Sequence, residues 1–104
     1  MSGSLLREAR KLEVRLEDFI KEEGSFIEAL RRFIDKIREL NVKVEETGGK
    51  EDRELRNLRR ELINLFSEAL KKQSEVEHER SHLLESYGSL LLALDEKFRI
   101  FARE

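Results

Sequence analysis

The residues of this chain best suited to chemistry lie together in its second half, at His78-Glu79-Arg80-Ser81-His82. On a helix the two imidazoles stand one turn apart on one face. There they can hold a divalent metal while the intervening glutamate activates a bound water. The same stretch pairs a carboxylate with an imidazole three residues on, twice: Glu75 with His78, and Glu79 with His82. Pairs of this kind suit two metal ions bridged by carboxylates. There is no Gly-rich phosphate loop, no nucleophile elbow and no cysteine.

The five residues from His78 to His82 resemble the H-E-x-x-H motif of zinc peptidases. The metzincin continuation is missing, because Glu85 stands where that family has glycine. Nothing in the sequence reads as the strand-lined cleft in which those enzymes bind substrate, so an enzyme is not expected. A second resemblance is to the ligand set of ferritin-like and designed di-iron bundles, which combine a lone Glu from some helices with Glu-x-x-His from others. Here the set would be Glu23, Glu79 and His82, brought together twice if two helical hairpins paired. In a chain this rich in glutamate the reading adopted is plainer. These residues form a hydrated polar layer that fixes register at some cost in stability, with no catalytic residue and no cofactor.

The elements that position these residues are long helices. Leu5, Ala9, Leu12, Leu16, Phe19, Glu23, Phe26, Leu30, Phe33, Ile37, Leu40 and Val44 follow an alternating four-three spacing, and eleven of the twelve are apolar. A seven-residue repeat of this length keeps one seam of a helix against another helix over many turns. Leu6, Ile20, Ile27 and Ile34 widen the stripe beyond what a two-stranded coiled coil needs. The spacing predicts a first helix over about 4–46, a turn at 47–50 centred on Gly48-Gly49, and a second helix over about 51–102. Gly24 followed by Ser25-x-x-Glu28 reads as a capping box that could open a new helix. The apolar phase nevertheless runs through it unbroken. A single rod is therefore expected, with a three-helix bundle, similar only in length to spectrin-type repeats, as the alternative.

The second helix opens on Leu55, Leu58, Leu62, Leu65 and Ala69, with Ile63, Phe66 and Leu70 beside them. It closes on Leu84, Tyr87, Leu91, Leu94, Phe98 and Phe101, displaced by one residue, after a polar stretch from Lys71 to His82. Folding the helices back at Gly48-Gly49 places Leu40 against Leu58, Ile37 against Leu62, Phe33 against Leu65 and Leu16 against Leu83. Tyr87 is expected on a core face with its hydroxyl exposed, and Phe98, Ile100 and Phe101 are expected to plug the open end. The polar stretch cannot cover the middle of the first helix. Phe19, Ile20, Phe26, Ile27 and Ile34, with Val76, are thus the expected interface. Fully burying one such apolar side chain stabilises by roughly 1.5–3 kcal/mol.

Composition agrees with an all-α hairpin that assembles into a four-helix bundle dimer. The chain has 104 residues, too few for two independent cores, and proline is absent. A charged fraction of 42% against 38% apolar suits helices with much surface and little interior. The net charge of −2 carries no basic excess, which argues against nucleic acid. No apolar run reaches membrane-spanning length, and residues 1–4 read as a flexible leader without a signal-peptide core. The absence of cysteine fits a reducing, cytoplasmic setting. The expected role is that of a structural scaffold or interaction module, whose partner is a second copy (a homodimer) or another helical protein, and not a small molecule.

Overall fold

The computed structural model describes the backbone of residues 2–50 and 52–103, and the side chains of 5–50 and 52–99. Two helices, α1 (Ser2–Thr47) and α2 (Arg53–Arg103), form an antiparallel hairpin, and the described residues contain no strand. Both are rich in Leu, Glu, Lys and Arg, which lose little side-chain freedom in a helix. Neither meets a proline.

α1 does not break at Gly24-Ser25, so the three-helix alternative is set aside. An isolated glycine costs a helix only about 1 kcal/mol, less than the apolar contacts on either side would lose by reversal. Ser25 consequently caps nothing. Gly88 lies within α2 in the same way.

The turn is built as glycine chemistry dictates. Gly48 and Gly49 have φ of 64° and 82°, a region that side chains with a Cβ avoid. The Gly49 N–H donates to the Val44 carbonyl at 3.0 Å and the Gly48 N–H to that of Glu45 at 3.4 Å. This is the paired bond pattern of a Schellman helix end. The Thr47 hydroxyl donates to the Lys43 carbonyl at 3.0 Å. α2 then begins at an acidic cap: the Leu55 N–H donates to the Asp52 carboxylate at 2.7 Å.

Packing divides into two compact units, Glu23–Ser74 around the turn, and Met1–Glu22 with Glu75–Glu104. In each, the faces that meet follow a four-three spacing. On α1 it begins Leu5, Glu8, Leu12, Arg15 and ends Leu40, Lys43, Thr47. On α2 it begins Leu55, Leu58, Leu62, Leu65 and ends Leu90, Ala93, Lys97. Every residue of these two rows is buried or half-buried.

This seam differs from the one the apolar spacing suggests. Leu12, Phe33 and Leu40 face α2 as expected, and Phe19 and Phe26, expected at an interface with a partner, face it too; the alternate positions are filled by the residues just before Leu16, Glu23, Leu30, Ile37 and Val44. Arg15, Glu22, Ala29, Lys36 and Lys43 take those places. Leu16 and Ile37 are exposed, so the expected contacts Leu16–Leu83 and Ile37–Leu62 are not the basis of the seam. On α2, Leu83, Leu90 and Ala93 hold the first frame to the end. The displaced frame of Leu84, Tyr87, Leu91 and Phe98 faces outward. Phe98 therefore plugs nothing; the side chains of Ile100 and Phe101 lie outside the described residues.

Candidate functional site

Each helix carries a second row, one residue beyond the first. On α1 it runs Leu6, Ala9, Glu13, Leu16, Ile20, Glu23, Ile27, Leu30, Ile34, Ile37, Asn41, Val44. Nine of these twelve are apolar, against seven of the thirteen in the seam that faces α2. The richer face is the open one. All of the second row is exposed except Leu30, which is half-buried. On α2 the same offset gives Ile63, Phe66 and Leu70, then Gln73, Glu77 and Arg80, then Leu84, Tyr87 and Leu91. Ile63 is 65% exposed and Phe66 50%.

Helix geometry puts the two second rows on one side of the hairpin. A step of one residue turns about 100° around a right-handed helix. Viewed from one end, that turn is anticlockwise on a helix approaching the viewer and clockwise on one receding. Antiparallel helices facing each other thus swing their second rows to the same side. In the unit around the turn this side presents Ile27, Ile34 and Ile37 beside Ile63, Phe66 and Leu70, and Phe66 reaches Phe33 with ring centroids 5.8 Å apart. In the other unit it presents Leu6, Leu16 and Ile20 beside Leu84, Tyr87 and Leu91.

The opposite side of the unit around the turn is ionic. Glu54, Glu61 and Glu68 recur every seven residues on α2. They meet Lys43, Lys36 at 2.9 Å and Arg32 at 3.3 Å. Lys36 also holds Glu39 at 2.9 Å. The hydrogen bonds that Lys36 donates to Glu61 and then Glu39 raise its pKa above the ordinary lysine value, against a smaller opposing effect of burial. Glu54 does the same for Lys43. Burial alone would lower both.

The six residues expected at an interface separate accordingly. Ile20, Ile27 and Ile34 lie on the open apolar side, whereas Phe19, Phe26 and Val76 are half-buried in the seam between α1 and α2. Phe66, Ile63, Leu84 and Leu91 belong to the open side and escaped that expectation. The signal for them was the frame displaced by one residue, which runs from Ile63 to Phe98 with one polar interruption.

The histidines are turned toward each other. His78 Nε2 and His82 Nε2 lie 3.1 Å apart, so one imidazole N–H donates to the other ring's lone pair. Their rings meet edge to face at 4.5 Å. His82 Nδ1 is 3.6 Å from Glu85. Glu23 is exposed on the second row of α1, while Glu79 sits in the seam. One buried carboxylate oxygen of Glu79, and one of Glu22, has no hydrogen-bond partner. Among the described residues no group of three or more His, Asp or Glu side chains is placed to hold a metal ion, and no helix is long and apolar enough to cross a membrane.

Comparison with protein-family models, with curated proteins and with solved structures finds no match. The open apolar side is accordingly the candidate site on physical grounds alone.

Proposed function

We propose that this chain is a structural interaction module, a helical hairpin that holds other helices against its open apolar side and performs no catalysis. The observation that carries the reading is the inequality between the two rows of α1. The row left exposed is more apolar than the row that closes the hairpin. Clustered exposed apolar side chains of this kind mark a site of protein contact. An occupant of matching form is an amphipathic helix whose own stripe lies along Ile27, Ile34 and Ile37 and against Phe66. The polar positions Glu23, Gln73 and Glu77 interrupt the stripe and would set its register. The even charge balance and the absence of cysteine favour a helical protein partner in a reducing, intracellular setting over nucleic acid.

The test uses the chain's lack of cysteine. A thiol introduced by Ile34→Cys is compared in alkylation rate with one introduced by Arg31→Cys, whose arginine is exposed and pairs with Glu28 along its own helix. The thiol at 34 is expected to become selectively protected, either as the protein is concentrated or on adding an amphipathic peptide helix with a Leu/Ile stripe. Equal reactivity of the two thiols under both conditions would overturn the reading.

A further inference from the structure

We infer that the occupant of the open apolar side is a second copy of this chain, so that two hairpins close a four-helix bundle. The inference rests on the docking reading above and adds the identity of the partner.

Surface area is the first argument. The folded chain exposes 8172 Å². For its mass of 12.3 kDa, a compact monomer exposes roughly 6,100 Å². The surplus of about 2,000 Å² per chain falls within the roughly 1,000–2,500 Å² that one subunit of a permanent homodimer buries. The core gives the same answer: among the described residues only Ala29, Leu55 and Ala69 are buried, and no large side chain is fully buried. Hydrophobic burial is the main force of folding, and this hairpin by itself has little of it.

Geometry is the second argument. In a square bundle every helix touches two neighbours, in directions about a right angle apart, and needs one contact row for each. Two rows one residue apart are separated by about 100°, close to that requirement. α1 and α2 both carry such a pair, and their outer rows lie on the same side. The surface therefore calls for two further helices side by side, each offering an outer row of its own. This chain presents such a surface, and a two-fold axis joins it to itself as in most homodimers.

Light scattering on the full chain, with the thiol at position 34 as a second readout, tests the proposal. The expected mass at micromolar concentration is twice 12.3 kDa. With nine-tenths of chains paired, alkylation at 34 should slow by about tenfold by mass action. The Ile34→Glu/Phe66→Glu double variant should return the mass to that of one chain; if it fails to fold, the parent's mass and thiol protection still decide. A parent of single-chain mass whose thiol is protected only by an added peptide helix would overturn the second copy and leave the docking reading standing. A dimer with a fully reactive thiol at 34 would place the contact on another face and overturn the proposal. A single-chain mass with a reactive thiol in all conditions would end both.

Discussion

The unit around the turn and the unit holding the chain's two ends share one architecture but differ in how their seams are secured. Around the turn, Ala29, Leu55 and Ala69 are the buried residues, and Lys36, Lys43 and Arg32 reach across to Glu61, Glu54 and Glu68. At the other end the seam includes Glu8, Arg15, Glu22 and Glu79, two of them with a buried carboxylate oxygen that finds no partner. Among the contacts there, the ion pairs Lys11–Glu8 and Arg99–Asp95 run along a single helix, as does the approach of His82 Nδ1 to Glu85. Both seams carry long charged side chains, but around the turn Lys36 and Lys43 find carboxylates on α2, whereas Glu22 and Glu79 each leave a buried oxygen without a partner. The lesson is that one heptad spacing supports either outcome, depending on what fills its alternate positions.

The largest test of this contrast is truncation at matched seam leucines. Leu55→Ala, at a site 5% exposed, should lower the unfolding free energy by about 2–3 kcal/mol. Leu83→Ala, half-buried in the other unit, should cost about half as much. Equal losses in urea melts would erase the distinction between the units. Replacing the stranded carboxylate probes the weaker side directly. Glu79→Leu should stabilise by about 1 kcal/mol, since an unsatisfied buried polar group is costly, with slower amide exchange confined to residues 1–22 and 75–104. No gain would mean that Glu79 is adequately solvated where it lies.

Two smaller effects belong to the turn and the junction. Asp52→Ala removes the acceptor for the Leu55 N–H and should cost about 1 kcal/mol, read as faster exchange at the first turn of α2. Gly24→Ala meets open space for its Cβ and should stabilise by about 0.5–1 kcal/mol. A loss would show that the helix needs flexibility there. The smallest effect is alkaline. Folding raises the pKa of Lys36 and Lys43, so their contribution is complete below the ordinary lysine value of about 10.4 and declines as pH climbs through the raised values. Both are partly solvated, so the decline should be slight. It should vanish in a Lys36→Met/Lys43→Met variant if these pairs are its source.

Much of this was open to inspection in the residues themselves. The glycines at 48 and 49 and the unbroken apolar phase through Gly24 specify two helices and one turn, because each acts within a few residues of itself. The candidate site was half legible. Ile20, Ile27 and Ile34 stand out as surplus to a two-stranded seam, but the same pattern offers Phe19 and Phe26, which lie in the seam, and does not single out Phe66 and Ile63, which are exposed. Local pattern could not separate these sets, since each helix bears two rows one residue apart and both repeat every seven.

Sequence alone determined the helical periodicity, the reversal at Gly48-Gly49 and the excess of apolar surface over what two helices can cover. Only the tertiary structure decided which row closes the hairpin. The physical reason lies in pairs distant in sequence: Lys36 with Glu61, Lys43 with Glu54, and the small Ala29 and Ala69 at the seam. Together they turn the less apolar row of α1 inward and leave the richer one open.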